Sequence, residues 1–477
     1  MTGDEVAFLT IRELGALLRA GDLSPTELTE AFLRRLDDVG RRLNAVVTMT
    51  EDVARREAAL AEAELRRGLD RGPLHGIPYG LKDIISAAGA PTTWGAFPDQ
   101  RFAGEATVTR RLRDAGAVLL AKVATIELAG GMGYDNPNAS ITGAPGNPWH
   151  TGKWTNGSSS GPAAAVGAGA LPFAMGSDTA GSILLPAAFT GTAGLRPNYG
   201  RVSRAGAMAL CWTLDRLGPM CRCADDCGLV LEAIAGPDPR DPSTLSEAYR
   251  YRRPHARGDG FRFGVIAGSC DGAEPEVSAN FAASLAVLGE IGSIEEVELP
   301  DLPYDDVAEI VIGAEAYAAF DEFIAAGGLT RLTAAKAHGH RLAGAVLPAH
   351  DYIRAQRVRR VIASEFGELA SRYDALVAPT LGVVASGRAD DFEYMLPAAS
   401  PRPLNLAGVL SGTPAVSVLN GLGRDGLPTG IQLAGAGLAE NAMLDAAVTL
   451  ETRAGTTALR PDGPLGVAAP AAPGRPA

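Results

Sequence analysis

Ser182 closes the run Asp178-Thr179-Ala180-Gly181-Ser182, where small residues let successive backbone N–H groups converge on one point. Main-chain donors arranged in that way make an oxyanion hole, and a serine at their end is placed to attack the carbon whose oxygen they hold. A hydroxyl is a weak nucleophile until a base takes its proton. The six histidines, His75, His150, His255, His338, His340 and His350, are scattered, and none falls in a Ser-His-Asp context. Lysine is the other option. Nearly all the basic residues are arginine, which stays protonated, and the lysines are only Lys82, Lys122, Lys153 and Lys336. Lys82 ends an apolar, Gly-flanked segment, where burial can pull an ammonium pKa below its usual value of about 10.4. Lys153 is the second candidate base, and on spacing alone either lysine can be structural.

The elements that must position these residues are readable in outline. His75-Gly-Ile-Pro-Tyr-Gly-Leu-Lys82 reads as a turn entering a buried strand, and Ala115 to Lys122 as a second buried strand after a helix. The first seventy residues read as helices, with capping boxes at Thr10/Glu13 and Ser24/Glu27 and Pro25 at a first helical position. Gly157 to Gly194 is dense in Gly, Ser, Ala and Thr, which suits loops that approach a ligand closely. A helix is expected over 225–236, broken by Gly236-Pro-Asp-Pro, and 240–395 alternates helix and strand. Tyr373 to Thr380 reads as a buried strand. Ala415 to Leu419 and Thr429 to Leu433 read as strands joined by the turn Arg424-Asp-Gly. Helices interleaved with apolar strands predict an α/β fold in a single large domain.

Seven motifs, in order, carry a resemblance: Gly76-Ile-Pro-Tyr-Gly-Leu-Lys82-Asp83, Pro91-Thr-Thr, Asn147-Pro-Trp149, Gly157-Ser-Ser, Asp178-Thr-Ala-Gly-Ser-Ile183, Gly194-Leu-Arg-Pro-Asn-Tyr-Gly-Arg-Val-Ser203 and Leu214-Asp-Arg-Leu-Gly-Pro219. The chain resembles the amidase signature family, which includes fatty acid amide hydrolase, bacterial amidases and the A subunit of glutamyl-tRNA amidotransferase. The resemblance implies a central twisted mixed sheet covered on both faces by helices. An amidase domain would span 1–460: a helical start (1–70), a signature core (71–235), a variable pocket region (240–395) and returning C-terminal strands and helix (400–452). A flexible tail would follow over 461–477.

The same resemblance implies a Ser-cisSer-Lys unit, with Ser182 as nucleophile, Ser158 as a relay preceded by a cis peptide, and Lys82 as terminal base. The oxyanion hole would be the N–H groups of Thr179, Ala180, Gly181 and Ser182, and Gly131-Met132-Gly133 would face the substrate. The expected reaction is hydrolysis of carbon–nitrogen acyl bonds through an acyl-enzyme, with no metal or organic cofactor. The relay would return its proton to the leaving nitrogen, since an amide anion leaves poorly.

Five positions, in three places, depart from the family pattern. Ala180 stands where glycine is usual, Leu184 replaces an arginine, and Asn156, Ser160 and Pro162 vary the serine loop. Leu184 sits uneasily with the A component of a tRNA amidotransferase, releasing ammonia from glutamine, which is nevertheless one rival reading. A second is an α/β-hydrolase esterase, because Gly157-Ser-Ser159-Ser-Gly161 matches G-x-S-x-G with Ser159 as nucleophile. That motif needs an apolar strand just ahead of it, and Thr151 to Asn156 is not apolar. A binding protein on the same scaffold is the third, against which the retained Lys82, Ser158 and Ser182 argue.

Composition narrows the remainder. The 477 residues are 46% hydrophobic and 21% charged, with net charge −12. No clustered basic face points to a nucleic-acid partner. The start is acidic, without the basic and apolar blocks of a secretion signal. Ala163 to Met175 is too short to span a bilayer, so a cytoplasmic location and no membrane partner are expected. Cys211, Cys221, Cys223, Cys227 and Cys270 read as free thiols, since the close trio lacks both a C-x-x-C pair and a nearby histidine. The partner is expected to be a small amide or carbamate, aryl or hydrophobic, with esters also admissible; a homodimer is compatible with the chain. Tyr317, Phe320, Phe323 and Tyr352 are candidate pocket aromatics, though helical core packing explains most of them.

Overall fold

The computed structural model describes residues 3–252, 260–334, 338–390 and 403–461. Its centre is one eleven-stranded sheet. From edge to edge the strands are Val46–Met49, Val118–Val123, Pro78–Lys82, Phe173–Asp178, Arg216–Cys221, Ala193–Arg196, Ala415–Leu422, Pro428–Ala434, Ala375–Pro379, Phe261–Ile266 and Gly292–Val297. The sheet is mixed. Pro78–Lys82 runs parallel to both neighbours, as does Phe261–Ile266, whereas the strands between are antiparallel. The central strands are buried at every position, except for the last three residues of Ala415–Leu422, which are half-buried. A strand without a wet face needs cover on both sides, and flanking helices supply it.

The local signals at the start hold. Thr10 and Ser24 accept from the N–H groups of Glu13 and Glu27, whose carboxylates in turn accept from the cap N–H groups. The helices Ile11–Ala20 and Pro25–Arg35 follow. The helical reading missed one element: Val46–Met49 is a strand, antiparallel to Val118–Val123. Four residues with one buried position carry too little pattern to stand out beside helices. At the other end, Arg424–Gly426 joins the hairpin as expected, with Asp425 and Gly426 both at positive φ.

The small-residue stretch is more regular than expected. It contains helices Ser160–Gly167 and Leu184–Thr190 and strands Phe173–Asp178 and Ala193–Arg196. Ser160–Gly167 is buried on every side, so it lacks the polar stripe by which a surface helix is recognised. Its small side chains are set by packing: a Cβ on Gly161 would lie 2.1 Å from the Ala124 nitrogen.

Cys221 ends a strand, Cys223 caps the helix Ala224–Ile234 and Cys227 lies within it, so the trio spans two elements. All five cysteines are free. Among the described residues no helix is long and apolar enough to cross a membrane. Most of the expected tail, 462–477, lies outside the described residues, as does Lys336.

Candidate active site

Lys82 is the last residue of its strand, and the parallel register Leu81↔Met175 sets it beside the carboxyl end of Phe173–Asp178. Clefts outside the carboxyl ends of parallel strands are where α/β sheets place ligands. The amine is fully buried. Its Nζ lies 2.7 Å from Ser158 Oγ and 2.8 Å from Ser177 Oγ. Burial drives the Lys82 pKa down to about 7, against the pull of Asp178 and Asp215, which favour the charge. An amine held near neutrality can give or take a proton at ordinary pH.

The other lysines have different surroundings. Lys122 Nζ is paired with Asp83 Oδ1 at 2.7 Å and bonds Thr92 Oγ1 and the Pro91 carbonyl. Lys153 is half-buried on the separate two-stranded ribbon that ends at Trp154. His75 contacts Glu64, His150 accepts from Gly152 N–H and His350 contacts Asp351, so these imidazoles are engaged away from the serines.

Ser158 follows a cis peptide from Gly157, as the resemblance implies. Its carbonyl accepts from Ile126 N–H, and the buried helix Ser160–Gly167 begins two residues later. Ser159 points elsewhere. Its hydroxyl donates to the Ser177 carbonyl at 3.1 Å and accepts from Ser177 N–H, and its own N–H donates to the Ser182 carbonyl. These bonds commit Ser159 to joining the two serine-bearing segments. The strand ahead of it, His150–Trp154, is mostly exposed or half-buried, which does not suit the esterase motif.

The turn carrying Ser182 is gripped by two carboxylates. Asp178 accepts from Gly181 N–H at 2.8 Å and Ile183 N–H at 2.9 Å. Asp215 accepts from Thr179 Oγ1 at 2.7 Å and from the N–H groups of Leu210 and Cys211. Gly181 sits at φ +118°, a conformation that a Cβ disfavours. One expectation is corrected here. Gly181 N–H is bound to Asp178, whereas those of Thr179, Ala180 and Ser182 carry no bond within the described chain. The turn therefore presents three free donors, not four.

A cavity of about 350 Å³ opens beside Ala180 and Leu185. Its walls include Tyr134, Trp154, Phe189, Ile312 and Leu406, with Asn156, Thr380 and Asn405 as polar points and Asp305, Glu309 and Arg341 also in the lining. Gly131, Met132 and Gly133 are absent from this lining, and the Met132 side chain is buried in the main core. Tyr134 is what that loop contributes. Leu184 is also in the core, and its neighbour Leu185 faces the cavity. The amphipathic wheel of a seven-residue helix is too short to tell those leucines apart. Phe320 is core, Phe323 packs edge-to-face on Phe97, and Tyr352 donates to Glu315. The variable region reaches the cavity instead through the first turns of helix Tyr304–Ala325, through Arg341, and through Thr380, Leu381 and Val383 just after strand Ala375–Pro379.

The amidase family model matches residues 27–444.

The chain belongs to the amidase family.

Hydrolysis of carbon–nitrogen bonds goes with that membership. A curated relative, the A component of the glutamyl-tRNA(Gln) amidotransferase from Moorella thermoacetica, is 36% identical over 97% of this chain and its own full length. The native peptide amidase of Stenotrophomonas maltophilia superposes with a TM-score of 0.80 at 32% identity, covering 93% of this chain and 96% of its own. A chain from a vestigial protein complex, described as revealing the origins of an s-triazine catabolic enzyme, superposes at 0.84 with 27% identity, covering 95% and 99%.

Against this amidase background, four residues of the site were not singled out from sequence. Ser177 bonds the lysine, Asp178 and Asp215 hold the serine turn, and Asn405 donates to the Ala180 carbonyl at 3.0 Å. Asp178 and Asp215 lie inside quoted motifs, so the signal was present without a role attached. Ser177 differs from any other strand serine only in what the sheet sets beside it. Asn405 comes from 225 positions away and carries no local signal.

Proposed function

We propose that this amidase hydrolyses amides of apolar or aryl acids and amines, with anilides, carbamates and esters within reach, using Ser182, Ser158 and Lys82. The observation that carries the proposal is the 2.7 Å contact between Lys82 Nζ and Ser158 Oγ in full burial. Neutral Lys82 takes the Ser158 proton as Ser158 takes that of Ser182. Ser182 Oγ then bonds to the acyl carbon, and the N–H groups of Thr179, Ala180 and Ser182 receive the oxyanion. The protons run back through Ser158 to the leaving nitrogen, and the amine departs. Water repeats the cycle on the acyl-enzyme and frees the acid. Tyr134, Trp154, Phe189 and Ile312 supply the apolar wall that favours an uncharged, bulky substrate.

A second reading is favoured by the name of the 36% identical relative: the A component of an amidotransferase, releasing ammonia from glutamine beside partner proteins. One screen separates the two. The isolated chain is assayed against anilides, carbamates, esters and glutamine, with Ser182→Ala as control. Turnover of the apolar amides, lost in the control, is expected. Preference for glutamine over every apolar amide would sink the proposal.

A further inference from the structure

The Ala180–Gly181 peptide is held at both ends. Its N–H donates to Asp178 Oδ1 at 2.8 Å, and its carbonyl accepts from Asn405 Nδ2 at 3.0 Å. Behind it, Arg196 closes a ring: its guanidinium donates to Asn405 Oδ1 at 2.5 Å and lies 3.5 Å from Asp178 Oδ1. That arginine fixes which way the Asn405 amide points. A guanidinium has donors only, so the Asn405 oxygen must face it, and the amide NH₂ must face Ala180. Asn405 also fills the space a side chain would need at Gly181, since a Cβ there would lie 3.0 Å from its Nδ2.

This peptide is the middle one of three. The peptide before it carries the free Ala180 N–H and the peptide after it the free Ser182 N–H. Gly181, at φ +118°, is the joint between the second and third. A glycine there can rotate, so the plane must be held by contacts outside the turn. We infer that Asn405 is a positioning residue for the reaction: by pinning the Ala180 carbonyl it aims the Ala180 and Ser182 N–H groups at the developing oxyanion. This rests on Ser182 being the nucleophile.

Asn405→Asp isolates the effect. It keeps the side-chain shape and the partner for Arg196, but sets an acceptor oxygen against the Ala180 carbonyl. On an anilide, kcat should fall by about tenfold or more while KM stays within about threefold, as expected when donors of the transition state are lost. Affinity for an arylboronic acid, whose tetrahedral adduct puts an oxygen in the donor cradle, should fall in proportion to kcat. The added carboxylate favours protonated Lys82, as Asp178 and Asp215 do, so the acid limb of the pH profile should move to higher pH, and kcat and KM are compared on the alkaline plateau. Unchanged kcat and boronate affinity in the folded variant would overturn the inference, and so would a rise in KM alone, which marks a mere pocket wall. If the variant does not fold, the wild-type boronate adduct decides. An adduct oxygen near both Ala180 N and Ser182 N, with Asn405 still on the Ala180 carbonyl, supports the inference; an Asn405 that has left that carbonyl to bond the adduct refutes it. Boron bound anywhere but Ser182 defeats the underlying reading instead, so the two failures are distinguishable.

Discussion

Replacing Lys82 with methionine tests the buried amine directly, because its role in the reaction and its effect on stability have opposite signs. Folding lowers the lysine pKa from 10.5 to about 7 through burial. Between those values the unfolded chain binds the proton more readily than the folded one, so wild-type stability falls as pH drops from about 10.5 to about 7, then levels off. At one pKa unit per 1.36 kcal/mol, keeping this amine uncharged at pH 8 costs roughly 3 kcal/mol. Methionine removes that cost but leaves Ser158 Oγ and Ser177 Oγ without their donor, at about 1 kcal/mol each. The net expectation is a gain of about 1 kcal/mol at pH 8. For a chain of 477 residues, whose unfolding entropy near 60 °C is about 1 kcal/mol/K, that is a rise of about 1 °C in Tm. Amide turnover should meanwhile fall by about 10²-fold or more, the contribution of a proton-transfer group. Ester turnover should fall less, since an alkoxide needs less protonation to leave. Calorimetry at pH 8 and parallel anilide and ester assays make the measurement. A Tm loss beyond about 3 °C would refute the buried neutral amine, and amide turnover within tenfold of wild type would refute its use as a base.

The same pKa predicts that wild-type kcat/KM on an anilide rises with pH through an apparent value near 7, as Lys82 loses its proton; a limb near 10 would contradict it. Ser177→Ala removes an acceptor that favours the charged amine, so that limb should move to lower pH with the fold intact. Thr179→Val cuts the side-chain bond to Asp215 and should lower kcat several-fold with little change in KM, as steady-state kinetics would show. Glu451 is fully buried, accepts from Ala224 N–H and has its pKa raised from 4.5 to about 8 by burial. Its ionisation therefore costs stability as pH rises from about 4.5 through about 8. Glu451→Gln should raise Tm at pH 9 and not at pH 4, as thermal scans at the two pH values would show.

Much of this protein is legible in its residues because the signals are local or ordered along the chain. Capping boxes act within four residues, as at Thr10 and Ser24, and the strands Pro78–Lys82 and Val118–Val123 announce themselves by apolar runs. Seven motifs in order point to the family and to Lys82, Ser158 and Ser182 without any geometry. What pairs across the sheet is not readable. Ser177 reaches Lys82 because two strands lie parallel in one register, and Asn405 reaches Ala180 from a helix 225 positions onward. Which of Leu184 and Leu185 faces the cavity, and which of the turn's N–H groups Asp178 occupies, are likewise decided by packing and long-range hydrogen bonds. A sequence states which groups are present; only the folded chain selects, among several chemically equal donors, the ones left free to act.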